Sequence, residues 1–91
     1  ITGDFNSGEG SRPYQFLVGG DLIDTFRLVH PTRTEEESTF TAWKGRLIGN
    51  RIDWVLCSPN FRVLSAKIDR TNDQGRYPSD HYPVTATLNY K

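Results

Sequence analysis

Three short clusters carry residue types that could do chemistry: Gly3-Asp4-Phe5-Asn6, Arg51-Ile52-Asp53-Trp54-Val55-Leu56 and Ser79-Asp80-His81-Tyr82-Pro83-Val84. Together they offer three carboxylates, one carboxamide and one imidazole, each beside an apolar run that reads as a strand. This inventory suits holding a divalent cation against a phosphate, because hard cations take oxygen ligands and preorganised donors stabilise charge on phosphoryl oxygens. Asp4 and Asn6 stand two residues apart on an extended segment, so their side chains share one face while Phe5 points inward. Asp4 could bind the cation or orient an attacking water. Asn6 could support the cation or hydrogen-bond the phosphate. The plain alternative is an Asx turn opening the next loop.

Asp53 lies inside an otherwise apolar strand, where an ionised carboxylate is costly without a partner. Two partners compete: Arg51, two residues earlier on the same face, and His81. A carboxylate on one ring nitrogen fixes the tautomer and raises the basicity of the other. Asp80 and His81 precede the final strand and can splay to opposite sides of a rim, one toward metal and one toward phosphate. His30, before Pro31 at the end of a helical segment, reads as structural, a helix C-terminal histidine meeting free carbonyls. A serine triad has no Gly-x-Ser-x-Gly elbow, Gly8-Glu9-Gly10-Ser11 lacks a P-loop lysine, and one cysteine with two histidines makes no standard zinc site.

The elements that must position these groups follow from pattern. Ser11 caps a helix carrying Pro13 in its first turn, with Tyr14, Leu17 and Val18 at helical spacing until Gly19-Gly20. Asp21 caps a second helical piece through Leu22, Ile23, Phe26 and Arg27. Glu35 to Glu37 fall in a solvated loop and are poor metal ligands. Ser38 to Trp43 reads as a strand by composition and alternation. Arg51 to Cys57 is a strand with Ile52, Trp54 and Leu56 on one face. Phe61 to Ile68 is another, with Leu64, Ala66 and Ile68 toward the core, and Val84 to Tyr90 alternates as a half-buried final strand. About five strands with one or two helices make an α+β pattern.

Composition narrows the partners. Eleven basic and eleven acidic side chains cancel, so any phosphate binding must be local rather than driven by a basic field. No apolar run approaches the roughly 20 residues of a membrane-spanning helix. The single Cys57, inside an apolar run, reads as a small buried hydrophobe. With 35% apolar residues, a mean hydropathy of -0.60 and no disulfide, 91 residues make a thin core, which is expected of part of a larger domain.

Taken in order, Gly3-Asp4-Phe5-Asn6, Arg51-Ile52-Asp53-Trp54-Val55-Leu56 and Ser79-Asp80-His81-Tyr82-Pro83-Val84 resemble the motifs of the endonuclease/exonuclease/phosphatase superfamily, related to deoxyribonuclease I and apurinic endonucleases. The likeness spans essentially all of residues 1–91. It implies the C-terminal half of a four-layer α/β/β/α sandwich, with the N-terminal half, and its asparagine, glutamate and histidine, absent. It implies Mg²⁺- or Mn²⁺-dependent hydrolysis of a phosphoester, most simply a phosphodiester. By that resemblance Asp4 orients water, Asn6 binds phosphate or supports the metal, Asp80 is a metal ligand, and His81, held by Asp53, contacts the scissile phosphate. Nucleic acid and phospholipid head groups are both substrates within its range, and the isolated fragment is expected to be inactive. The competing expectation is a non-catalytic module that binds phosphate or nucleic acid. Arg70, Arg76, Tyr77 and Trp43 are further candidates for substrate contact, each with a loop or core reading beside it.

Overall fold

The computed structural model describes all 91 residues. In chain order its elements are β1 (Thr2–Asp4), α1 (Arg12–Val18), β2 (Ile23–Asp24), α2 (Thr25–Val29), β3 (Asp53–Cys57), β4 (Phe61–Ile68) and β5 (Val84–Tyr90). Strand β3 is central, with β1 and β2 pairing antiparallel to its two sides, while β4 and β5 form a separate antiparallel ribbon. Helix α2 packs across β3 and β4 and so joins the two sheets. This is the α+β arrangement expected; four of the five expected strands are present, and the fifth strand, β2, falls where a helical piece was expected.

The core sits where β3's alternation points inward. Trp54 is fully buried, stacked on Phe5 with centroids 4.4 Å apart and met edge-on by Tyr14 at 5.1 Å. Leu56 is buried two residues on. Beside these, the interior is ionic rather than apolar. Buried Arg51 pairs with Asp24 and lies 3.1 Å from Glu9, while Arg27 grips Glu9 at 2.7 Å and Glu37 at 2.6 Å. Tyr14 adds an O–H donated to Asp24 at 2.7 Å. A buried guanidinium is tolerable only when compensated in this way, and the network clamps α1, β2, α2, the 7–10 loop and the segment that enters β3 together.

Several expectations need correction. Ser38 to Trp43 is not a strand: Ser38 Oγ accepts from the Phe40 amide, and Ala42 and Trp43 adopt φ of 52° and 61°, outside the extended region. Only an isolated bridge joins Phe40 to His81 there. The second helix is shorter than expected and starts later, because Asp24, not Asp21, accepts from the Arg27 amide as N-cap and Ile23–Asp24 pairs with β3 instead. Leu64 faces solvent because a bulge between Val63 and Ser65 adds one residue and reverses the alternation, leaving Ala66 buried. Tyr90 is exposed at the strand's end, and Glu37 is buried in its ion pair rather than solvated.

Other readings hold. Cys57 is free and buried, and His30 is structural, its Nε2–H donating to the Ala66 carbonyl at 2.8 Å. Helix α1 starts after Ser11 with proline in its first turn, although the serine side chain makes no capping bond.

Candidate active site

The ladder between β1 and β3 places Asp4 directly opposite Asp53. Like charges facing each other across an antiparallel pair repel, so this register calls for a cation or a shared proton between them. His81 meets that need. Its Nδ1–H donates to Asp53 Oδ2 at 2.8 Å, and its Nε2 lies 3.6 Å from Asp4 Oδ2. Arg51, the competing partner for Asp53, is turned to Asp24 and Glu9 instead. The hydrogen bond to Asp53 is the main cause that raises the His81 pKa above its ordinary 6.5; partial burial opposes it, and the charges of Asp53, Asp4 and Asp80 add to it.

Three supports hold the imidazole. The His81 amide donates to Ser79 Oγ at 3.1 Å, Phe40 meets the ring edge-on at 5.6 Å, and the Tyr82 amide donates to the Thr39 carbonyl at 2.8 Å. Thr39, fully buried, also fixes Asp53's approach: its Oγ1 accepts from the amides of Ile52 at 2.9 Å and Asp53 at 3.3 Å. Phe40 and Thr39 are positioning residues that strand periodicity concealed. No local sequence signal marks Thr39, because the amides it serves lie 13 and 14 residues further along the chain.

Asn6 departs from the extended segment, with φ of 49°, a conformation that asparagine tolerates. Its amide donates to Asp4 Oδ1 at 2.9 Å, so the Asx turn exists together with the site rather than in place of it. Asn6, Asp80 and His81 line one cleft of about 470 Å³ with Ser38, Phe40, Arg46, Gly49, Asn50 and Ile52. Arg70 lies elsewhere: it donates to the Ser38 and Glu36 carbonyls and stacks on Tyr82, 4.5 Å from the ring centre. Arg76 and Tyr77 line a second cavity that contains none of Asp4, Asn6, Asp53, Asp80 and His81.

Asp4, Asp53 and His81 each offer one ligand atom, and these atoms lie within 4.8 Å of one another. Asp53 Oδ2 and His81 Nδ1 are already spent on each other, which leaves Asp4 Oδ2 within this group; Asp80 stands outside the group, in the lining of the cleft beside His81, and its carboxylate has Ser79 Oγ at 3.5 Å as its one hydrogen bond. One or two carboxylates with free oxygens beside a carboxamide are a fitting donor set for a hard divalent ion that keeps most of its waters. No helix is long and apolar enough to cross a membrane. Compared with known proteins, residues 1–81 match the Endonuclease/Exonuclease/phosphatase family. Searches of curated proteins and of solved structures returned no match.

Proposed function

The chain belongs to the endonuclease/exonuclease/phosphatase family, whose members are generally phosphoester hydrolases and typically depend on a divalent metal, and from that premise we propose that it carries a Mg²⁺- or Mn²⁺-dependent phosphodiesterase site. The observation that carries this reading is the chain of contacts Asp53–His81–Asp4, whose central residue, His81, lines the cleft. Asp53 fixes the tautomer of His81 and leaves Nε2 as the working nitrogen, able to donate to a phosphoryl oxygen or pass a proton. Asp4 holds and orients the attacking water, and the Asn6 carboxamide donates to a non-bridging phosphate oxygen. Asp80 and Asp4, supported by Asn6, would hold the metal, which when bound supplies positive charge to the phosphoryl oxygens and lowers the pKa of coordinated water.

The four-layer sandwich is part of the same proposal. Ile1, Phe16, Leu64 and Tyr90 are all more than half exposed, which supports reading residues 1–91 as a C-terminal half that packs against further structure. Hydrolysis tests the function. With Mg²⁺ or Mn²⁺ the parent protein, with both halves of the sandwich, should cleave bis(p-nitrophenyl) phosphate, stop on chelation, and lose at least about a hundredfold in rate on His81→Ala. Unchanged turnover in that variant would overturn the assignment. Phosphate binding without turnover under any metal would point to a binding module instead.

A further inference from the structure

Two side-chain polar atoms in the interior have no hydrogen-bond partner, Ser11 Oγ and Arg51 Nε. A hydroxyl can turn toward a new partner, but Nε–H belongs to a cation whose orientation is already fixed. Arg51 presents both terminal nitrogens to Asp24, with Nη1 3.2 Å from Oδ1, and its Nη2 also lies 3.1 Å from Glu9 Oε1. The guanidinium stacks 4.7 Å from the centre of the Phe26 ring, and the Arg51 carbonyl accepts the Trp54 indole N–H at 2.9 Å. The side chain is 2% exposed, so bulk solvent does not reach the remaining N–H. A buried donor left unmet is costly, and one carried by a cation more so.

Asp53 has the complementary deficit. Its Oδ2 accepts from His81 Nδ1, while Oδ1 accepts no hydrogen bond from the protein. A carboxylate held by one oxygen turns easily about its terminal torsion, which has no sharp rotamer wells. Arg51 and Asp53 line one recess together with Thr25, Phe26, Val55 and Thr85. Its interior holds about 10 Å³, the lower bound for one water. A buried water also needs several polar partners, and the lining supplies them: the Arg51 and Asp53 side chains, the Thr85 hydroxyl, and Thr25 Oγ1, whose own proton goes to the Val55 carbonyl at 2.8 Å.

We propose that one water binds in this recess, accepting from Arg51 Nε–H and donating to Asp53 Oδ1, and that through it Arg51 is a positioning residue for His81. The second water proton goes to a threonine hydroxyl, Thr25 or Thr85, which makes the three bonds usual for a buried water. With Oδ1 tied, the plane of the carboxylate is set and Oδ2 is presented to Nδ1, which keeps Nε2 as the working nitrogen. Arg51 then serves both parts of the site. Through Glu9 it anchors the loop that follows Asn6, and through the water it orients Asp53. Arg51 and His81, rivals for Asp53 in the sequence, each take one of its oxygens. The water site stands on geometry alone; its effect on turnover rests on the phosphodiesterase reading.

Three measurements on the parent protein test this, two of them independent of activity. A crystal structure should show one ordered water within hydrogen-bond distance of both Arg51 Nε and Asp53 Oδ1. A protein group in that place, or a water that reaches only one of the two, overturns the site. Val55→Ile adds one methylene to the recess and changes no charged group. It should displace the water, shift or broaden the downfield proton resonance of His81 Nδ1–H, and lower kcat on bis(p-nitrophenyl) phosphate about tenfold with KM unchanged, as loss of an outer-sphere partner does. Val55→Ala widens the recess, keeps the water and should retain the wild-type resonance and rate, which separates the water from packing. If the water leaves in the isoleucine variant and either the resonance or kcat stays as in wild type, the positioning role is overturned; equal losses in the alanine and isoleucine variants overturn it too. A bridging water with the expected change in the His81 resonance, in a protein that hydrolyses no ester, removes the phosphodiesterase reading and leaves the water site and its hold on His81 standing.

Discussion

Asp53 Oδ2 accepts the Nδ1–H of His81 at 2.8 Å across 28 residues of chain, and this bond commits the ring to one tautomer with Nε2 directed to Asp4. It also settles a competition visible in the sequence, since Arg51, only two residues from Asp53, was the nearer candidate in sequence and is consumed by Asp24 and Glu9.

In metal-free protein, the His81 pKa should lie above 6.5, and Asp53→Asn should lower it, because the hydrogen bond to Asp53 is its largest raising cause. A folded pKa above the unfolded one means that the proton-bound form is the stabilised one. The contribution to stability is therefore full below about pH 6.5 and disappears as pH rises through the folded value. Imidazole NMR titration reads the shift directly; an unchanged pKa in the asparagine variant would show that Asp53 does not govern it. The same variant should lose about tenfold to hundredfold in rate, as other outer-sphere partners of a site do.

Glu9 should set part of the acid limb of stability. The hydrogen bond from Arg27 is the largest cause that lowers its carboxyl from 4.5 to about 2, against some burial, and Arg51 adds to the effect. A lowered folded pKa gives stability that is present above 4.5 and lost as pH falls toward 2. Glu9→Gln should remove that component, so the variant's stability falls less steeply over this window than that of wild type. Circular dichroism during acid titration measures it, and parallel curves would count against the clamp.

How much of the fold and site was legible depended on the range of each interaction. The three clusters were readable because each joins a polar residue to the end of an apolar run, a local pattern that the fold turned into Asp4, Asp53 and His81 meeting at one rim. The Arg51–Asp24–Glu9 and Arg27–Glu37 pairs were not readable, since ion pairs between distant residues leave no periodic trace. Ser38 to Trp43 misled because β-rich composition was overridden by side-chain-to-backbone bonds of Ser38 and Thr41. Leu64 misled because a single inserted residue in β4 reverses the face of every residue after it.

Gly45 should resist substitution for two separable reasons. Its φ is +73°, and a Cβ there would clash with the Tyr77 hydroxyl and lie 2.9 Å from Cζ. Gly45→Ala is expected to cost about 1 to 3 kcal/mol from backbone strain alone, with the contact in addition. Adding Tyr77→Leu should recover the contact but not the strain. A double-mutant cycle by urea denaturation separates them, and a neutral single mutant would contradict the loop geometry.

Thr39 should matter to the site without touching it. Its one hydroxyl oxygen serves the Ile52 and Asp53 amides, and its carbonyl accepts from Tyr82, so a single buried residue spans the two segments that carry Asp53 and His81. Thr39→Val keeps the shape and removes the acceptor, leaving two backbone donors short of a partner, at a cost of about 1 to 3 kcal/mol. Thr39→Ser keeps the oxygen and should retain most of the stability. The distinguishing readout is local: hydrogen exchange at the Ile52 and Asp53 amides should quicken in the valine variant more than at Trp54, whose indole N–H remains tied to the Arg51 carbonyl at 2.9 Å. Uniform acceleration across β3 would show that Thr39 supports the fold as a whole rather than the placement of Asp53 against His81.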